Sequence, residues 1–571
     1  MDGAYDAEDV GGRHDHEEYR KRACEVIFSV ASRAGDNPGA MRPRLGYRLL
    51  GLGLVSLFAF ACSEKEAEPP EPEDIDYQAL GSIAAPSGKG SFRFGAASAA
   101  TQIEDQNPHT DWYLWTRPKP DGMGKGTFVG DASFGYTRAI EDIVLMKELH
   151  LDSYRFSIEW ARVEPRRGEI DESALEHYGR FIDELLANGI RPLITLHHFS
   201  NPVWVSDPRD PDCEQGPSDT NLCGLDHPEG GPLVVEAMAN FAKLIAERFG
   251  DRVDEWATLN EPVNYLLGGY GAGSQPPGKM LILKLEEKFV PAIRNYIRAH
   301  VAMYRAVKEA DTIDADGDGI AAAVGFTQAA QEWVAARDGM PSEDPEDLAA
   351  RDRVLWAYQY LFVEALRQGA FDANLDGTFD EEHPDWKDSL DWLGVQYYFR
   401  GGVTGAMKLI PGLDLTPCFD KFDFGACVPP LDPTFHVPTM NYEHHPAGLG
   451  WVLEDFGARW PDLPLTVTES GIATEVGTRR AEVVVRALEQ IERARAKGVD
   501  VRGYYHWSIY DNFEWMLGYA PRFGLYRVDY DTYERTPTEG ATVLRDIAKE
   551  RKLSRDMRKK YGGDGPMTPE G

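Results

Sequence analysis

The sequence predicts a single (β/α)8 barrel of the TIM type. Eight short apolar runs alternate with amphipathic helical segments, polar residues gather where the runs end, and nothing between them reads as an interdomain linker. In chain order the runs are Ser91–Ala100, Leu151–Trp160, Ile190–Phe199, Val253–Pro262, Gly319–Gln328, Leu390–Phe399, Leu463–Ile472 and Val501–Tyr510. Each is short enough for a buried strand and rich in aromatic or β-branched residues. Ser173–Gly189 and Glu236–Gly250 lie between them. The second repeats apolar residues at i, i+3, i+4 and i+7 and stops at Gly250, as a helix does. The folded domain is expected over 89–550, with a polar C-terminal tail over 551–571.

A barrel of this kind makes a chemical claim: residues at the C-terminal ends of the strands share one pocket. Gln102 and Glu104 follow the first run, Arg155 lies in the second, and His197 and His198 close the third. Asn260 and Glu261 close the fourth, Gln396 and Tyr398 the sixth, and Glu469 the seventh. Trp507, Glu514 and Trp515 follow from the eighth. Carboxylates, amides and indoles together suit a neutral sugar, whose hydroxyls need paired donors and acceptors and whose C–H face needs an aromatic ring.

The chain of 571 residues is 42% hydrophobic, 11% aromatic and carries a formal net charge of −34. It can bury a large core, and a surface so acidic repels phosphate backbones, which argues against nucleic-acid partners. The N-terminal region carries an address. Met41–Arg48 is basic, Leu49–Ala61 is apolar but too short to span a bilayer, and Cys62 follows at once. Ala59-Phe60-Ala61-Cys62 resembles a bacterial lipobox, so 41–62 is expected to be a lipoprotein-type signal with lipid attached at Cys62; an ordinary secretory signal is the other reading. Ser63 rather than Asp after the cysteine allows, by resemblance to bacterial lipoproteins, outer-membrane sorting, with the periplasm or secretion as the other destinations. Residues 1–40 are expected to be a gene-start artefact, and the Glu/Pro-rich stretch 63–88 a flexible tether. The expected site of action is therefore extracytoplasmic, with the membrane touched only through a lipid anchor. In that oxidising setting Cys213 with Cys223, and Cys418 with Cys427, are expected to close two short loops as disulfides.

Glu261 stands in Thr-Leu-Asn-Glu-Pro and Glu469 in Thr-Val-Thr-Glu-Ser-Gly. On strands four and seven they face each other across the barrel mouth. Two carboxylates about 5–5.5 Å apart suit double displacement with retention, and a wider gap suits inversion. Arg155 is placed to hold Glu469 ionised, while Glu261 beside neutral Asn260 keeps a proton for the leaving oxygen.

With these residues in view the chain resembles glycoside hydrolase family 1, the β-glucosidase and β-galactosidase family. The resemblance runs from Phe92 to Pro537 and rests on Phe92–Glu104, Tyr154–Trp160, Leu259–Pro262, Thr468–Gly471, Asp511–Tyr519 and Arg522–Tyr530. It implies a retaining exo-β-glycosidase releasing terminal β-D-glucosyl or related residues from small β-glycosides or oligosaccharides, with Glu469 as nucleophile and Glu261 as acid/base. It further implies that Gln102, His198, Asn260, Glu514 and Trp515 bind the sugar, that Trp507 forms its floor, and that Tyr398 bonds the nucleophile. Three positions depart from the family's pattern: Phe199 where a Trp is frequent, Gln396 where an Asn is usual, and Ser470 where an Asn follows the nucleophile. The last two are expected to affect the positioning of Glu469. Glu514 is retained and no phosphate cradle accompanies it, which disfavours phosphosugars. A transglycosidase on the same scaffold remains the main alternative, and a silent sugar-binding relative a lesser one.

The chemistry requires no cofactor. Asp314, Asp316 and Asp318, and again Asp372, Asn374 and Asp376, resemble the first half of a calcium loop, but Gly325 and His383 stand where the closing glutamate belongs. Each is either an acidic turn or a structural calcium site.

Overall fold

The computed structural model describes residues 71–418 and 423–570, so the expectations placed on 1–70, Cys62 included, lie outside the described residues. Eight parallel strands close into a barrel: β1 (Arg93–Ala97), β2 (Ser153–Ser157), β3 (Arg191–His197), β4 (Glu255–Asn260), β5 (Ala323–Ala329), β6 (Trp392–Tyr397), β7 (Leu465–Ser470) and β8 (Val501–Trp507). Seven fall inside a predicted run, and β5 passes the end of its run by one residue, Ala329. Nearly every strand residue is buried, because one face fills the barrel and the other packs beneath the helices.

Helix α1 (Glu172–Ala187) starts where the Asp171 side chain accepts the amides of Ser173 and Ala174, and it buries Leu175, Tyr178, Ile182 and Leu185. Helices α2 (Gly230–Phe249) and α3 (Val290–Ala310) pack along each other. Gly250 does end α2, but with φ −63°, so no left-handed turn requires it. A side chain there would meet the Ala246 carbonyl at 2.7 Å and the Asp311 carboxylate at 2.8 Å, so close packing excludes one.

Both ends of the domain depart from expectation. The tether read over 63–88 is, over 71–88, docked on the barrel. Ile75–Asp76 pairs with Lys552–Leu553, and Ile83 is fully buried against Leu193, Ala257, Ala323, Trp392 and Tyr505 on the barrel floor. Beside it Arg93 pairs with Glu255 at 2.5 Å and donates to the Gly81 carbonyl. The tail read over 551–571 is likewise packed. A helix spans Arg555–Tyr561, and the buried Arg486 donates to the carbonyls of Gly565 and Pro566. The Glu570 carboxylate accepts the Thr474 hydroxyl at 2.7 Å. Few apolar side chains are needed for this, because buried guanidinium groups and strand pairing supply the partners that polar segments require.

At the other end of the barrel, Glu332–Arg337 after β5 pairs in parallel with Arg400–Thr404 after β6. Short strands from the following loops extend this accessory sheet. Both expected disulfides are formed, Cys213–Cys223 and Cys418–Cys427. The acidic loops are turns closed by their own carboxylates. Asp314 accepts the amides of Asp318 and Gly319, and Asp372 those of Asp376 and Gly377. Asp316 pairs with Arg191 at 2.7 Å, which leaves it less free for a cation than the sequence pattern suggests. Among the described residues, oxygens of Asp254, Asp314 and Asp316 lie within 4.8 Å of one another.

Candidate active site

The strand ends bring most of the predicted residues together around Arg155. From β2 its guanidinium reaches Glu469 Oε1 at 2.5 Å, Asn260 Oδ1 at 2.6 Å and Thr195 Oγ1 at 3.0 Å, and it is fully buried. The Tyr398 hydroxyl donates to Glu469 Oε2 at 2.7 Å. Both oxygens of Glu469 therefore receive strong donors, one of them a permanent cation. Burial raises the Glu469 carboxyl above its ordinary range, and Arg155 and Tyr398 oppose that rise.

Glu261 has a different environment. The β4 strand ends at Asn260, and Glu261 turns the chain through a left-handed conformation, φ 40° and ψ 63°, into a short helix begun by Pro262. Its carboxylate accepts from Asn264 Nδ2 at 2.9 Å, and Asn264 accepts from the Tyr358 hydroxyl at 2.8 Å. The neutral partner expected for Glu261 was Asn260; it is Asn264, one helical turn on. Burial first, and then the charge of Glu469, push the Glu261 carboxyl up to about 8. The two carboxylates thus interact, and Glu261 is the one that holds a proton at neutral pH.

Asn260 serves the other side. Its Oδ1 takes donors from Arg155, from Gln396 Nε2 at 2.9 Å and from Thr327 Oγ1 at 2.9 Å, which turns Nδ2 away from this cluster. The Gln396 side chain, expected to affect the positioning of Glu469, bonds Asn260 instead. The Ser470 carbonyl accepts from the Tyr504 hydroxyl at 3.4 Å.

The two histidines separate cleanly. His197 is satisfied on both nitrogens, by Tyr296 at 2.8 Å and Asn201 at 3.1 Å, and is part of the packing. His198 is buried with no protein partner at Nδ1, and its ring lies nearly parallel to Trp507, centroids 5.9 Å apart. Burial, then the nearby Arg155 charge, hold it far below the usual histidine range, so it is neutral. Gln102 directs Nε2 to the Phe513 carbonyl at 2.9 Å and to Asn512 at 3.2 Å, and its Oε1 has no protein partner. Burial and the charge of Glu469 raise Glu514, 3.5 Å from Gln102, to about 8. A neutral carboxyl there both donates and accepts. Glu104 does not belong to this group: it pairs with Arg162 at 2.9 Å and takes the Tyr178 hydroxyl.

Backbone strain accompanies the site. Phe199, Glu261 and Trp515, all non-glycine, have φ of 64°, 40° and 44°. Such conformations cost roughly 1–3 kcal/mol each and persist where surrounding structure imposes them. Trp515 is held against Trp112 with centroids 4.8 Å apart. Asn264, Thr327 and Tyr358 were not foreseen, although Asn264 follows Glu261 at the i+3 spacing that places two side chains on one helix face.

The sequence model of glycosyl hydrolase family 1 matches residues 87–553. The chain belongs to this family. A β-galactosidase of Pyrococcus woesei is 30% identical over 80% of this chain and 96% of that protein. A 1,4-β-D-glucan glucohydrolase of Thermotoga neapolitana is 27% identical over 78% of this chain and 98% of its own. The structure of a β-glycosidase from Pyrococcus horikoshii superposes with a TM-score of 0.68 at 27% identity, covering 85% of this chain and all of that one. As a family 1 enzyme the chain is a glycoside hydrolase of the retaining, exo-acting β-glycosidase kind.

Proposed function

We propose that this family 1 enzyme removes terminal β-D-glucosyl or closely related β-D-glycosyl residues, with Glu469 as nucleophile and Glu261 as acid and then base. The unequal surroundings of the two carboxylates carry the reading: Glu469 is gripped by Arg155 and Tyr398, and Glu261 by a neutral amide alone. Ionised Glu469 attacks the anomeric carbon while Glu261 gives its proton to the departing glycosidic oxygen. The resulting ester cancels the charge of Glu469, which removes one cause of the raised Glu261 pKa. Glu261, which has already given up its proton, is therefore stable as a carboxylate. It takes a proton from the water that attacks the same carbon from the opposite face, releasing Glu469 as a carboxylate. Two inversions give net retention. Gln102, His198, Asn260, Glu514 and Trp515 are proposed to hold the sugar hydroxyls, and Trp507 to support the ring.

A panel of nitrophenyl β-glucoside, galactoside, fucoside, mannoside and xyloside, followed by NMR of the first-formed sugar, tests this. Turnover is expected on the glucoside and its close epimers, with the β-anomer appearing before mutarotation. First release of the α-anomer would overturn the mechanism. The enzyme is further proposed to work outside the cytoplasm on a lipid at Cys62, a reading supported by basic Met41–Arg48 and apolar Leu49–Ala61 ahead of it. Cys62→Ala is expected to shift activity from the membrane to the soluble fraction of a bacterial host; unchanged partition would refute the anchor.

A further inference from the structure

We infer that the leaving group for which this enzyme is shaped is a hydrocarbon-rich alcohol rather than a second sugar, and that it occupies an apolar cavity beside Glu261. The inference rests on Glu261 being the acid. The bond to be cleaved has its oxygen at Glu261, so whatever departs extends past that residue and away from Glu469. A cavity of about 580 Å³ reaches the partners of this residue: Asn264, which bonds Glu261, and Tyr358, which bonds Asn264, are both in its wall. Its size falls within the range of small-molecule sites.

The wall is mostly apolar. Val263, Leu267, Phe289, Val354, Phe362 and Leu415 supply apolar surface from four separate stretches of chain. Of the charged groups in the wall, Arg400 and Glu443 are buried and paired with each other at 2.6 Å, and Asp423 accepts the Cys427 amide. The Tyr442 hydroxyl and the Trp333 indole N–H have no protein partner and could each meet one hydroxyl. A second glucosyl unit would bring several hydroxyls into this space and leave most without hydrogen bonds, which is costly. A hydrocarbon chain or ring would gain from the same surface. The backbone is shaped for the space as well. Three π-helical stretches, Leu266–Gly271, Leu285–Phe289 and Leu355–Tyr360, contribute residues to the wall. Such widened turns are rare and concentrate at functional sites.

The test is a series of n-alkyl β-D-glucosides from methyl to octyl, all below micellar concentration, alongside cellobiose. Each fully buried methylene multiplies kcat/KM by about four. With partial burial, the octyl glucoside is expected to exceed the methyl glucoside at least 100-fold, and to exceed cellobiose. Leu267→Trp, which fills the cavity from a half-buried position, is expected to lower the octyl-to-methyl ratio at least tenfold. Should that variant not fold, competitive inhibition of the wild type by octyl and methyl 1-thio-β-D-glucoside reads the same preference through binding alone, with the octyl compound binding at least 100-fold tighter. A ratio below threefold in either series, or cellobiose as the better substrate, overturns the inference while nitrophenyl glucoside turnover continues. Absence of nitrophenyl glucoside turnover overturns the catalytic reading and this inference together.

Discussion

Glu469→Gly is expected to lower kcat for an aryl β-glucoside on the order of 10⁵- to 10⁶-fold, the scale that loss of a covalent nucleophile sets. The substitution removes the carboxylate proposed to attack the anomeric carbon and leaves a space lined by Arg155 and the Tyr398 hydroxyl. Both are donors, so the space suits a small anion. Azide is expected to enter it and attack in place of the carboxylate. One inversion without a second converts a β-glucoside into an α-glycosyl azide, identifiable by its anomeric coupling in NMR. Glu469→Gln is expected to be equally inactive but not rescued, because the amide still fills the space. The two variants also differ in stability. Glycine leaves the Arg155 charge buried without its partner, a change that destabilises by roughly 3–5 kcal/mol in buried pairs, and azide should restore part of that as well. Undiminished hydrolysis by the glycine variant, or a β-azide product, would remove Glu469 from the proposed role.

The eight barrel strands were legible because each is a short apolar run with a polar residue at its end, a pattern that local composition reveals without knowledge of pairing. Glu261 and Glu469 were legible for the same reason, as was Arg155 as the partner of Glu469. What local pattern does not encode is which neutral group faces which carboxylate. Asn260 and Asn264 are both within three residues of Glu261, and only the left-handed turn at Glu261 decides that Asn264 reaches it while Asn260 joins Arg155. Residues 71–88 and 551–570 were misread as tether and tail because their composition is polar. Their docking depends on a few apolar side chains, among them Tyr77, Ile83, Leu553, Tyr561 and Met567, on a two-residue strand pair and on buried arginines from the helix Gly477–Ala496. The cavity beside Glu261 was invisible for a related reason. Its apolar residues are scattered from 263 to 430, and short helical sets such as Val263, Leu266 and Leu267 do not reveal that separate segments face a common space.

Glu261→Gln is expected to lower kcat/KM by roughly 10² to 10⁴-fold on alkyl glucosides, the usual contribution of a proton delivered to a leaving group. With dinitrophenolate, which leaves without a proton, the first step should survive and the second should slow, so that glycosyl-enzyme accumulates and KM falls. The same substitution should change stability, and with a definite pH dependence. In the folded wild type the Glu261 carboxyl is raised from 4.5 to about 8, by burial and then by the charge of Glu469. Between those values the native chain binds a proton that the unfolded chain has released, so wild-type stability falls as pH rises across this window. Below about 4.5 the contribution is fully present; above about 8 it is gone. Glutamine never ionises and does not undergo this loss. The Tm difference, variant minus wild type, is therefore expected to be small at pH 4.5 and to grow by several degrees towards pH 8.5. Measuring both proteins across that range by calorimetry decides the matter, since a difference independent of pH would mean that Glu261 has no raised pKa in the free enzyme. The burial and the Glu469 charge that keep Glu261 protonated at neutral pH are also what lower the stability of the fold as the pH rises, and one titration reads both.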